Sequence, residues 1–98
     1  MTIIATFAPT YTKGVTVSPA ASSANTQVGE GSKTICLTNT GTGICYVRTG
    51  ASGVAATTAD YPVLPGSQVT ISKAQDHTHV AYISAAGTTL HIIPGEGF

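Results

Sequence analysis

Three histidines, His77, His79 and His91, are the residues of this 98-residue chain best suited to chemistry. His77-Thr78-His79 on an extended strand puts both imidazoles on one face, about 6.5–7 Å apart. His91 joins them only in one register of a hairpin closed over Ala85-Ala86-Gly87. With Ser84 opposite Thr88, Ala81 faces His91 and the three rings share a face. With Ala85 opposite Thr88, Tyr82 faces His91 and the third ring points away. The first register makes a three-histidine set of the kind that holds catalytic zinc. Cys36 and Cys45 form the second candidate, and a structural zinc needs about four ligands, so the pair alone is incomplete. The four carboxylates, Glu30, Asp60, Asp76 and Glu96, fall in expected loops or the tail. They lack the spacing of a paired acid and base. The chain contains no Gly-x-Ser-x-Gly, and neither Gly41-x-Gly43 nor Gly95-x-Gly97 leads from a strand into a helix. No catalytic residue and no cofactor are expected, and metal ligation by the histidines is the weak alternative.

The His-x-His pair is similar to one element of the cupin pattern, which continues with a nearby Glu and a distant His. Val80–Thr89 holds no acid, so that pattern is broken here.

The elements that must position these residues are short strands. Lys33–Arg48 (KTICLTNTGTGICYVR) reads as the organising hairpin, because Thr34–Thr38 and Ile44–Val47 are rich in β-branched and aromatic residues. With Asn39–Thr42 as a four-residue loop, Leu37 faces Ile44, Cys36 faces Cys45 and Ile35 faces Tyr46. One face then carries Ile35, Leu37, Ile44 and Tyr46, and the other Thr34, Cys36, Cys45 and Val47. The second set is too apolar for water, so a second sheet or a neighbouring subunit must cover it. Opposed cysteines make a disulfide conceivable, but a reducing compartment favours two buried thiols.

Elsewhere, Met1–Ala8 alternates as a strand that Pro9 ends. Tyr11–Val17 is a second strand interrupted at Gly14. Pro19–Gly31 reads as a loop or an extended arm, and Val54–Asp60 as a short edge strand. Pro62 and Pro65 mark Tyr61–Ser67 as a turn, Gln68–Ser72 is a clear strand, and Thr78–Ser84 with Thr88–Ile93 forms the second hairpin. Pro94-Gly95 ends the last strand. No segment has helical periodicity. The expectation is one all-β domain over 1–98, a small antiparallel β-sandwich or barrel of about seven or eight short strands. Residues 1–32 would include an extended N-terminal strand and arm used in assembly.

Charged residues make up only 8% of the chain and the formal net charge is zero. An ordinary soluble domain has roughly a quarter. A surface so poor in charge invites association, which points to one covered by partners. Lys13, Lys33, Arg48 and Lys73 are too scattered to form the basic patch that nucleic acid requires. No apolar run approaches the roughly 20 residues of a membrane helix. The start, MTIIATFAPTYTKG, lacks the pattern of a secretory signal, so synthesis in the cytoplasm is expected.

Residues 33–98 resemble small virion proteins of tailed bacteriophages. The resemblance rests on LTNTGTGICYVRTG, AATTADYPVLPGSQVTIS and THVAYISAAGTTLHIIPGEGF. Its markers are Asn39 and Gly41, then Val47-Arg48-Thr49-Gly50, then the Asp60–Ser67 turn, then Gly87–Gly97. The resemblance implies a non-enzymatic virion protein that works through surface contacts: a head decoration or cement protein, or a tail or head-fibre base component. The partners it implies are the major capsid protein and copies of the chain itself. A small ligand-binding or cupin-like metal-binding domain is the alternative from another class. The expected assembly contacts are Thr2, Ile3, Ile4, Phe7, Tyr11 and Phe98.

Overall fold

The computed structural model describes residues 8–28 and 32–96. The expectations placed on Thr2, Ile3, Ile4, Phe7, Glu30 and Phe98 lie outside them. The described chain is all-β, with nine short strands: β1 (Ala8–Pro9), β2 (Val15–Val17), β3 (Ala24–Gln27), β4 (Thr34–Asn39), β5 (Cys45–Gly50), β6 (Tyr61–Val63), β7 (Gln68–Ser72), β8 (His79–Ile83) and β9 (Leu90–Glu96). They form two antiparallel sheets. In the first, the order is β1-β9-β4-β7, with β2 also pairing β9; in the second it is β3-β8-β5-β6.

Apolar residues at every second position put one face of each sheet inward. Ile35, Leu37, Leu90 and Ile92 of the first sheet pack on Cys45, Val47, Val63, Val80 and Tyr82 of the second, with Val15, Val17, Val69 and Ile71 at the margins. The result is a β-sandwich, as the alternation of the strands leads one to expect.

Both expected hairpins are absent from it. β4 pairs with β7 and β9, whereas β5 pairs with β6 and β8. The Thr40–Ile44 segment therefore crosses from one sheet to the other, over the roughly 10 Å between packed sheets. Likewise β8 and β9 lie in opposite sheets, joined by a second crossing. The inward sets are Ile35 and Leu37 from one arm and Cys45 and Val47 from the other, facing each other across the core. Ile44 is instead exposed. From β2 onward each strand lies in the sheet opposite its predecessor, except β6, which pairs with β5. This alternation with antiparallel order is the jelly-roll arrangement, also called a double-stranded β-helix.

The crossings are fixed by one side chain. Asn39 is fully buried. Its Nδ2 donates to the carbonyls of Gly43 (2.8 Å) and Val63 (3.0 Å), while its Oδ1 accepts from the Gly41 N–H (3.1 Å) and the Thr88 hydroxyl (2.6 Å). It thereby links the first crossing, β6 and the second crossing. The crossings approach closely at Gly41 and Gly43, where a side chain has no room. A Cβ on Gly41 would collide with Thr88 and Thr89, and one on Gly43 would lie 2.5 Å from the Gly87 carbonyl.

Three further expectations are corrected. Pro19–Gly31 contains a strand, β3, at the edge of the second sheet, where exposure lets polar Asn25 and Gln27 pair. Val54–Asp60 is a loop capped by Asp60, whose carboxylate accepts from the Thr57 N–H at 2.7 Å; the strand comes later, at Tyr61–Val63. Pro94 does not end β9, which runs on to Glu96. The Pro94 carbonyl accepts from Thr10 N at 2.8 Å, so its nitrogen also points toward the N-terminal side of β9. On that side β2 pairs residues 90–92 and β1 pairs 95–96, and the missing donor falls in the gap.

Candidate functional site

The histidines are placed by three different elements. His91, between inward Leu90 and Ile92, lies on the outer face of the first sheet. Its Nδ1 is 3.0 Å from Thr16 Oγ1 on β2, and its ring rests against Gly14. His79, beside inward Val80, lies on the outer face of the second sheet, with Nδ1 2.8 Å from Thr78 Oγ1. His77 precedes β8 in a loop and shares a 2.9 Å hydrogen bond with Thr49 Oγ1. Because β8 and β9 belong to opposite sheets, neither hairpin register applies and the three rings do not meet. Among the described residues, no three His, Cys, Asp or Glu side chains come together.

The cysteines are likewise divided. Both are buried and free. Cys45 points into the core, where burial pushes its thiol up to about 11, opposed by a weaker hydrogen bond with the Ile83 backbone. Burial also raises the neighbouring Tyr82 phenol, with a smaller contribution from Cys45. Cys36 lies between inward Ile35 and Leu37 and so turns to the opposite side of its sheet.

Two surface features were not anticipated. The first is a groove of about 670 Å³, lined among others by Lys13, Val15, Gln27, Val28, Ser32 and Glu96. It lies on the flank of the sandwich between β2 and the end of β3. Thr12, also in its wall, has φ 70°, a conformation costly for a β-branched residue. Lys73 Nζ donates to the Ser32 carbonyl at 2.6 Å. Burial lowers the Lys73 pKa, while Asp76 and Glu96 act to raise it. The groove joins residues far apart in the chain, and no local motif signals it.

The second is an apolar patch on the outer face of the second sheet. Tyr46 sits between Pro62 and Ile83 on the flanking strands, and Ile44 and Leu64 adjoin the Cys45–Val63 end of the β5–β6 pairing. Ile44 is 41% exposed and Leu64 56%. Tyr11, an expected assembly contact, is 77% exposed in the turn after β1 rather than on a strand. Tyr46, grouped with Ile35 and Leu37 on one apolar face of the expected hairpin, is half-buried on the outer face, whereas Tyr82 is buried in the core.

The comparisons with known proteins define the fold. No known protein-family profile matches the chain. No curated protein matches its sequence. Among solved structures, protein NMB1881 from Neisseria meningitidis is similar over 93% of this chain and 82% of its own, at 14% identity and a TM-score of 0.53. PirA is similar over 84% of this chain and 93% of its own, at 15% identity and a TM-score of 0.52. A cupin-2 domain protein from Shewanella frigidimarina is similar over 91% of this chain and 76% of its own, at 8% identity and a TM-score of 0.50. At such identities the likeness is one of fold.

The cupin pattern, one element of which His77-Thr78-His79 is similar to, implies a metal held by histidines and a Glu. The residues here do not fit such a group. The interior is filled by Val, Leu, Ile, Cys45 and Tyr82, and the histidines lie on outer faces or in a loop.

Proposed function

We propose that this chain is a non-enzymatic structural subunit of a phage particle, a capsid decoration protein that stabilises the head through contacts with the major capsid protein. The observation that carries this reading is the outer face of the second sheet, where Ile44, Tyr46, Pro62, Leu64 and Ile83 form an apolar patch on a molecule with 8% charged residues. Isolated exposed apolar side chains are ordinary, whereas a contiguous set marks a contact surface. The phage-like markers lie on the same framework. Val47–Gly50 belongs to β5, Asp60–Ser67 runs through β6 into the turn that carries Leu64, and the Gly87–Gly97 marker takes in β9.

Each bound copy acts by burying surface. At roughly 25 cal/mol per Å² of apolar area, even a modest patch offsets outward strain on the shell when many copies act together. Tail and head-fibre base components are subunits of the same kind, and place in the virion separates them from a decoration protein.

The test is to add purified chain to expanded heads that lack it and count bound copies by electron cryomicroscopy. Saturable binding at symmetry-related sites, with heads that release DNA at a higher temperature, is the expected result. Failure to bind heads, together with binding to tail or baseplate, would move the assignment to the tail component.

A ligand-binding module of cupin-like build is the second reading, favoured by the groove that carries Lys13 and Glu96. A small solute that stabilises the chain against heat, and loses that effect in Lys13→Ala, would support it.

A further inference from the structure

We propose that β7 is a self-pairing edge through which two copies of this chain join into one continuous antiparallel sheet. Among the described residues β7 pairs only with β4, so its other side is an open edge of the first sheet. The groups on that side follow from the ladder. Lys73 N donates to Lys33 O at 2.8 Å, and Asn39 N donates to Ser67 O at 3.0 Å. In a strand, alternate residues direct N–H and C=O to the same side. Ser67, Val69, Ile71 and Lys73 therefore face β4. Gln68, Thr70 and Ser72 present their donors and acceptors outward, and all three residues are exposed.

These three match a second copy of themselves. A two-fold axis at Thr70 sets Thr70 opposite Thr70, and Gln68 opposite Ser72 in both directions. Every outward N–H and C=O then finds a partner. Val69 meets Ile71 on the inner side of the joined sheet. No charged side chain of β7 opposes another, and facing threonines pair well.

The other edges are less suited. β6 carries Pro62 at its centre, β2 has three residues, and β3 offers only small and polar side chains. Natural edges are guarded by charge, proline or a bulge. β7 has neither a charged residue nor a proline.

The pairing deepens the reading of the chain as an assembly subunit and rests on it, since a decoration protein with a self-complementary edge binds neighbouring sites cooperatively. The experiment is sedimentation equilibrium on the full chain over a wide concentration range, with three variants. The wild type is expected to show a reversible monomer–dimer equilibrium. Thr70→Pro removes an outward N–H and leaves every bond to β4 in place, so it is expected to abolish the dimer. Thr70→Lys sets like charges face to face. It is expected to weaken the dimer at least tenfold at low salt, with partial recovery at high salt. Thr70→Cys places two thiols at a Cα separation of about 5.5 Å, within disulfide range, so oxidation is expected to trap a covalent dimer. Far-ultraviolet circular dichroism checks that each variant is folded.

A wild type that stays monomeric, or a dimer that survives both Thr70→Lys and a folded Thr70→Pro, would overturn the proposal. Head binding without dimers refutes the pairing and leaves the assembly reading intact. Dimers without head binding refute the assembly reading instead.

Discussion

Asn39 offers the sharpest test of how this sandwich is held. Asn39→Ala removes four side-chain hydrogen bonds at a fully buried site. The Thr88 hydroxyl is partly exposed and can turn to water. The Gly43 and Val63 carbonyls and the Gly41 N–H lose their partner in the amide. An unsatisfied buried polar group costs about 1–3 kcal/mol. Three groups at the lower part of that range give about 3–5 kcal/mol, against a total stability of roughly 5–15 kcal/mol for a domain. For a domain of this size each kcal/mol is worth about 4–8 °C, so Tm should fall by at least about 12 °C. Urea unfolding measures the change, read as a lower midpoint at constant slope.

Thr40→Ala is the control. Its hydroxyl is exposed and makes a long 3.4 Å bond to the Thr89 carbonyl, so less than about 0.5 kcal/mol is expected. Asn39→Asp separates donor loss from cavity formation. Its carboxylate still accepts from Gly41 N–H and Thr88, but it meets two carbonyls that need donors. Its folded pKa must therefore lie above the unfolded value of about 3.9, and stability should rise as pH falls through the folded pKa. A loss below about 1 kcal/mol in Asn39→Ala would refute the claim that this amide fixes both crossings.

Three further outcomes follow from the packing. Gly43→Ala puts a Cβ 2.5 Å from the Gly87 carbonyl, a backbone atom that cannot swing aside, and should cost about 2 kcal/mol or more by urea unfolding. Ser84→Ala should leave stability unchanged or raise it by up to about 1 kcal/mol, because the Ser84 hydroxyl is fully buried and without a hydrogen-bond partner among the described residues; a loss above about 1 kcal/mol would reveal a partner. Cys45, raised from 9.0 to about 11, stays protonated in the folded chain where the unfolded chain ionises. Stability should therefore fall between pH 9 and 11, by about 2 kcal/mol at the upper end, and Cys45→Ala should flatten that alkaline limb in thermal melts.

Strand positions were legible where a local period of two runs unbroken. Thr34–Thr38, Gln68–Ser72 and the start of β9 are examples, and the sandwich follows from them. Strand partners were not. Alternation says that Ile35, Leu37 and Val47 point inward, and it says so equally for a hairpin in one sheet and for a crossing between two. The deciding feature was Asn39, a polar residue beside an apolar run. It looks like a turn residue and is in fact the buried tie between the crossings. β3 was hidden because an exposed edge strand needs no apolar face. Pro94 misled because a proline usually stops a strand, and here its missing donor points into a gap between β1 and β2. The histidine site depended on a hairpin register and dissolved with it. The groove and the outer patch are products of the tertiary arrangement, so nothing local could announce them.

The two crossings also govern how the chain reaches its native state. Among the described residues, β5 and β6 are the one pair of consecutive strands that zip together directly; β4 must find β9 and β7, and β8 must find β3 and β5, across long stretches of intervening chain. Closing such loops comes before any reward from contacts, so folding belongs on the millisecond-to-second scale of high-contact-order β-proteins rather than the microsecond scale of helical ones. During that interval uncharged β7 is exposed with its partner not yet in place. A crowded cell full of newly made copies would then favour premature strand exchange. The rate at which Asn39 locks the crossings therefore competes with the rate at which unfinished chains meet.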